Sequence, residues 1–208
     1  PGTVVYYGCP GEELLTGKPF MARGGAFRDL DLAMAFHPNT NNSATMGVST
    51  ALNSAKFHFK GRTAHAGGDP HNGRSALDAV ELMDVGANYL REHVTSDVRI
   101  HYTILEGGTA PNIVPDKASV WYYVRALSRD AVVDCYDRLV KIAKGAAMMT
   151  ETEVEIEFLG GCYNRLNNKV LTEMVDGIMR ELPQEPWTQE ELDFAKKLNE
   201  SSASQWKK

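Results

Sequence analysis

The chain has 208 residues, 43% hydrophobic and 24% charged, with a formal net charge of −5 and a pI near 5.7, the balance of an ordinary globular protein large enough to bury a core. That charge excludes a general affinity for nucleic acid or an anionic membrane surface, and no apolar run approaches the ~18 residues of a membrane span. The three cysteines, Cys9, Cys135 and Cys162, have no CxxC spacing, which excludes a zinc finger and a disulfide frame and points to reduced thiols in a cytoplasm.

TVVYY (3–7) and DLAMAFH (31–37) are apolar runs of the kind that form strands buried on both faces, and KPFMARGGAF between them reads as a short helix closed by Gly24 and Gly25. A strand, helix, strand unit of this kind is parallel and right-handed, with ligand sites outside the carboxyl ends of the strands. GCPGEE follows the first run, so Glu12 and Glu13 stand at one strand end and His37 at the next. Carboxylate with imidazole suits a zinc site, while the alternative is a solvated Glu pair opening a helix beside a loop histidine.

From about 53 to 159 the pattern changes to period 2. AKFHF (55–59) puts Ala55, Phe57 and Phe59 on one face and Lys56 and His58 on the other, and VRIHYTI (98–104), VWYYV (120–124) and VEIEF (154–158) alternate likewise, as half-buried antiparallel strands do. Between them lie two helical stripes, Leu77, Val80, Met83, Ala87 and Leu90, then Val132, Tyr136, Leu139, Ala143 and Ala146. The order β-α-β-β-α-β is the ferredoxin-like pattern, and its ends meet at one edge, which suits an inserted domain. GVSTALN (47–53) and LGGCYN (159–164) read as hinges. Beyond them, NKVLTEMVDGIMREL is an amphipathic helix, and Thr188 with Glu191 forms a capping box for a last helix that fades into SSASQWKK.

Three polar positions stand out in the inserted domain. GRTAHAGGDPHNGRSAL (61–77) holds His65 among glycines, a shaped loop that either hydrogen-bonds its own histidine or aims it at an oxyanion. In GGTAPNIVPD (107–116), Asn112 lies between prolines, in a place where asparagine often only shapes a turn. Arg125 shares a strand face with Trp121 and Tyr123, either as an ordinary exposed arginine or as a bidentate clamp on a carboxylate.

GCPGEE, AFHP, GRTAHAGGDPHNGRSALDAV, GGTAPNIVPD and VRA occur here in that order. The chain thereby resembles, over nearly its whole length, the dinuclear-metal amidohydrolases and exopeptidases that include aminoacylases, glutamate carboxypeptidase and auxin-conjugate hydrolases. The resemblance implies α/β plus α+β architecture: a partial parallel-sheet catalytic domain over 1–49, an inserted ferredoxin-like βαββαβ lid domain over 50–160, and a returning helical segment of the catalytic domain over 161–208. It implies hydrolysis of an amide in an N-acyl amino acid or aminobenzoyl-glutamate-like substrate, two divalent metal ions, zinc or manganese, and a homodimer formed through the lid. Glu12 would be the general base, Glu13 and His37 metal ligands, His65 the oxyanion donor in the site of the other protomer, and Asn112 and Arg125 binders of the small-molecule amide or peptide substrate.

The sequence departs from that family in its ligands. An upstream Cys-Gly-His-Asp segment and a histidine near the carboxyl end are both missing, and no histidine follows His101. A catalytic zinc takes about three protein ligands, so the expectation is a fragment, metal-free and inactive alone, whose parallel strands expose apolar edges while the lid folds by itself. A lid-only dimerisation module is the alternative. A ferredoxin-like nucleic-acid binder is disfavoured by the negative charge and the lack of an RNP-type aromatic motif.

Overall fold

A computed structural model describes residues 2–14, 17–39, 41–183 and 185–201. The chain divides into two compact units, residues 1–37 with 47–166 and residues 38–46 with 167–208. Within the first unit, a short helix α1 (Gly17–Arg23) precedes β1 (Ala51–Lys60), α2 (Ala76–Leu90), β2 (Arg99–Glu106), β3 (Lys117–Ala126), α3 (Arg129–Thr150) and β4 (Glu153–Cys162). The four strands form one antiparallel sheet in the order β2-β3-β1-β4, the ferredoxin-like arrangement expected from the alternation.

Both helices cover the same face of this sheet. Ala55, Phe57 and Phe59 of β1 and Val120, Tyr122 and Val124 of β3 are buried against Val80, Met83 and Ala87 of α2 and Val132, Leu139, Ala143 and Ala146 of α3. Each large side chain so buried contributes roughly 1.5–3 kcal/mol. A serine caps the start of each helix: the Ser75 hydroxyl accepts from the Asp78 N–H (3.1 Å), and the Ser128 hydroxyl from the Ala131 N–H (3.2 Å). Gly86, in the middle of α2, marks the closest helix crossing, since a Cβ there would meet Ile142 Cγ2 at 2.6 Å.

β4 runs four residues beyond the alternating VEIEF, through LGGC, and β1 begins within the stretch GVSTALN. These two expected hinges are therefore partly strand. Glycine is the reason, because a side chain at Gly161 would strike Asn53 Oδ1 at 2.5 Å and the Leu52 carbonyl at 2.7 Å. Its absence lets the strands pair across the bulge between Ser54 and Ala55.

The amino-terminal expectation fails in part. The helix between the apolar runs forms, closed by bonds from the Gly24 N–H to the Phe20 carbonyl (2.9 Å) and from the Gly25 N–H to the Ala22 carbonyl (3.0 Å). Neither TVVYY (3–7) nor DLAMAFH (31–37) is a strand, so no parallel sheet exists over 1–49 among the described residues. A parallel pair is stable only inside a sheet covered on both faces, and here Val4, Tyr6 and Phe36 are 98%, 90% and 88% exposed. What holds this stretch is local: Tyr7 donates to the Ala26 carbonyl (2.9 Å) and meets Phe27 edge-on at 5.2 Å.

In the second unit, α4 (Lys169–Glu181) is capped by Asn168, and α5 (Gln189–Ser201) starts with the predicted capping box. Thr188 Oγ1 accepts from the Glu191 N–H (3.3 Å), and Glu191 Oε2 accepts from the Thr188 N–H (2.8 Å). The apolar stripe of α4 buries none of its residues. Most of the polar tail SSASQWKK lies outside the described residues.

One polar pair sits inside the core. Tyr122 donates to Asp84 Oδ1 at 2.5 Å, with Tyr102 stacked on Tyr122 at 5.1 Å. Burial pushes the Asp84 carboxyl up to about 6 from an ordinary 3.8. The folded state therefore favours the protonated acid, and this contribution is full below pH 3.8 and is lost as pH rises through 6. Asp84→Asn is expected to flatten the dependence of the melting temperature on pH between 4 and 6.5 and to raise it at pH 7.5, as read by thermal denaturation across that range.

Candidate functional site

Two loops at one end of the sheet are stitched together by backbone bonds. The chain leaving β1 and the chain entering β3 pair through a bridge between His65 and Ile113, with the Ala66 N–H donating to the Asn112 carbonyl (2.9 Å) and the Val114 N–H to the Ala64 carbonyl (2.9 Å). His65 and Asn112, 47 positions apart by number, are thus neighbours by construction. Arginines brace the base of the loop. Arg62 Nε donates to the Asn72 carbonyl (2.5 Å), and Arg74 Nε to Glu151 Oε2 (2.7 Å), which ties the loop to the residue ending α3. Glu151 holds that end with a left-handed backbone, φ 53°, unusual outside glycine.

The ring of His65 is oriented by its own loop. Its Nδ1 accepts from the N–H of Gly67 (3.2 Å) and of Gly68 (2.9 Å). Two N–H donors on Nδ1 require a lone pair there, so the neutral ring carries its proton on Nε2 and presents an N–H donor away from the glycines. This is the tautomer that an oxyanion contact needs.

Arg125 stands elsewhere. Lys117, the first residue of β3, is opposite Lys60, and Arg125 is opposite Leu52, so β3 runs from the His65 end to the Arg125 end over roughly 27 Å. Within one copy these groups do not converge. Arg125 projects from the sheet face that no helix covers, with its guanidinium 5.4 Å from the Tyr123 ring centre. Tyr123 meets Trp121 edge-on at 5.4 Å, and the Trp121 indole N–H donates to Ser54 Oγ (2.9 Å). Arg125 Nε is buried without a hydrogen-bond partner, the one such side-chain atom among the described residues.

Sequence patterning gives no signal for Arg99. It lies directly opposite Arg125 in the β2–β3 register, and paired residues of an antiparallel sheet share a face. Only the register, which depends on the fold, reveals this pair. His101, next on that face, is shifted towards its neutral form by burial first and then by the charges of Arg125, Arg91 and Arg99.

Glu12 and Glu13 are exposed in a single helical turn, Glu12–Leu14, and His37 is exposed. Among the described residues no group of three or more His, Cys, Asp or Glu side chains is placed to hold a metal ion, so the residues present do not by themselves fit a catalytic metal centre. The thiols offer no alternative: burial pushes Cys135 up to about 11 and also raises Cys162, keeping both protonated and poor ligands. No helix among the described residues is long and apolar enough to cross a membrane.

Residues 50–149 match the family described as "Peptidase dimerisation domain". Across 204 residues the chain is 44% identical to a p-aminobenzoyl-glutamate hydrolase subunit of Escherichia coli, covering 98% of this chain and 42% of that protein. Xaa-Arg dipeptidase of Mus musculus is 32% identical over 172 residues, covering 82% of this chain and 40% of the relative. Among solved structures, an aminobenzoyl-glutamate utilization protein from Klebsiella pneumoniae superposes with a TM-score of 0.57 at 25% identity, over 64% of this chain and 34% of that one. The chain thus spans about two-fifths of the length of these sequence relatives.

The His65 geometry has a direct readout. Nitrogen NMR of the neutral ring is expected to show the Nε2–H tautomer, and Gly68→Pro, which deletes the 2.9 Å donor, is expected to produce a tautomer mixture; a predominant Nδ1–H form in the unaltered chain would contradict the orientation.

Proposed function

Because the chain belongs to the amidohydrolase and peptidase family that carries this dimerisation domain, we propose that it is the lid-bearing part of a metal-dependent hydrolase cleaving the amide bond of an N-acyl amino acid of the aminobenzoyl-glutamate kind. The observation that carries this reading is the 44% identity to a p-aminobenzoyl-glutamate hydrolase subunit, sustained over 98% of the chain. In this reading residues 1–49 and 161–208 belong to a catalytic domain and 50–160 to the lid.

Glu12 acts as general base, taking a proton from the attacking water and passing it to the leaving amine. Glu13 and His37 would contribute two ligands to a pair of divalent metal ions, zinc or manganese. Bound metal would supply a lowered water pKa and Lewis-acid character. His65 donates its Nε2–H to the oxyanion, and Asn112 and Arg125 hold the substrate, Arg125 through a carboxylate.

Separation of His65 from Arg125 favours an assembly of two copies. β2 is an edge strand with Tyr102, Ile104 and Leu105 exposed, and α2 exposes Leu82, Val85 and Tyr89, helical spacing for one apolar stripe. The opposite edge, β4, carries Glu153, Glu155 and Glu157, which repel a second copy. Self-pairing of β2 about a twofold axis is antiparallel, and it sets the His65 end of one lid beside the Arg125 end of the other. Each site then draws on both copies.

In the full-length protein, Glu12→Gln is expected to lower kcat for glutamate release from p-aminobenzoyl-glutamate by at least about a hundredfold with little change in KM; steady-state kinetics check this, and full activity of the variant would refute the assignment. Tyr102→Lys together with Ile104→Lys is expected to convert a dimer of residues 50–162 to a monomer in sedimentation velocity. A stable dimer of that segment combined with no hydrolysis by the full-length protein would favour a lid-only module.

A further inference from the structure

Resting on the amidohydrolase reading above, we infer that Arg99 is a further specificity-determining residue, which reads the second carboxylate of the aminobenzoyl-glutamate-like substrate while Arg125 holds the first. The two arginines are cross-strand partners on the uncovered face of the sheet, a spacing of roughly 5 Å between side-chain roots. Like charges placed there oppose folding, and an anion between them removes that cost. Among the described residues neither guanidinium forms an ion pair within 4 Å of a carboxylate. Arg125 rests on Tyr123 with its Nε buried and unpartnered, and Arg99 Nη1 donates to the carbonyls of Ser96 (2.5 Å) and Val98 (2.8 Å). The neighbouring acid, Asp97, accepts from the Leu127 N–H (2.9 Å); the Thr95 side chain and that N–H hold its carboxyl below the ordinary range, with the Arg99 charge adding least.

The setting is selective for a dianion. Arg91 adds a third positive charge near His101, whose ring is held towards neutrality by burial first and then by Arg125, Arg91 and Arg99. The carboxylates of aspartate and glutamate are separated by two or three carbons, which matches a cross-strand pair. One guanidinium binds the α-carboxylate and the other the side-chain carboxylate, each through parallel N–H donors. Along β3 from Arg125, Tyr123 and Trp121 continue the same face, a flat aromatic surface beside which the acyl group lies.

Isothermal titration calorimetry of the 208-residue chain with N-benzoyl-glutamate and N-benzoyl-alanine tests this. The unaltered chain is expected to prefer the glutamate ligand by about tenfold. Arg99→Ala is expected to reduce that preference to about twofold or less, Arg99→Lys to retain part of it, and Lys60→Ala, at the far end of the sheet, to leave it unchanged. Equal binding of the two ligands by the unaltered chain, or full preference in a folded Arg99→Ala chain, would overturn the inference. Hydrolysis by the full-length protein is measured separately: a surviving preference without turnover counts against the amidohydrolase reading alone.

Discussion

Everything in the first unit depends on the sheet being covered on one face only. Two helices are enough to bury Phe57, Phe59, Val120, Tyr122 and Val124 beneath Val80, Met83 and Leu139, and that apolar burial is the main favourable term of the domain. The opposite face carries mostly charged and aromatic side chains at alternate positions, with Leu52, the register partner of Arg125, as a buried apolar exception. Lys56, His58 and Glu157 form one polar group there, with His58 Nε2 3.1 Å and Lys56 Nζ 3.5 Å from Glu157 Oε2. Arg99, Arg125, Tyr123 and Trp121 form another. The division of labour between packing and recognition is a consequence of strand periodicity.

The same architecture sends polar loops to one end of the sheet and the Arg125 pair to the other. A loop carrying a histidine needs a frame, and the frame here is a short backbone ladder, Ala64–Val114 and Ala66–Asn112, braced by the ion pair of Arg74 with Glu151. An exposed ion pair adds little stability by itself. Its value is positional, because it fastens the loop to the terminus of the longest helix, which is anchored in the core through Val132 and Leu139. The buried Asp84–Tyr122 contact is a different matter: it places a carboxyl group among apolar neighbours next to the edge strand, where its ionisation acts on stability directly.

Reading the chain as an alternation of apolar and polar residues locates all four strands and both core helices of the inserted domain, because half-buried antiparallel strands and amphipathic helices write their periodicity into the residues themselves. The capping serines, the Thr188–Glu191 box and the helix ending at Gly24 and Gly25 are equally local. TVVYY and DLAMAFH are where that reading fails. Continuous apolar runs of this kind report that a segment must be buried, and the sheet needed to bury it is absent from the described residues, so Val4, Tyr6 and Phe36 remain exposed. Glu12, Glu13 and His37 inherit that limit, since their positions depend on elements that did not form.

Residues whose role depends only on neighbours a few positions away were therefore determined by the sequence itself: the lid topology, the polar loops holding His65 and Asn112, and the cationic end of β3. Tertiary structure alone decided that the His65 and Asn112 loops pair through their backbones, that Arg125 lies at the far end of the sheet, and that Arg99 faces it. The reason is register. Strand periodicity says which face a side chain takes, but its partner across the sheet is set by the way four strands, far apart along the chain, slide into one ladder over a shared core.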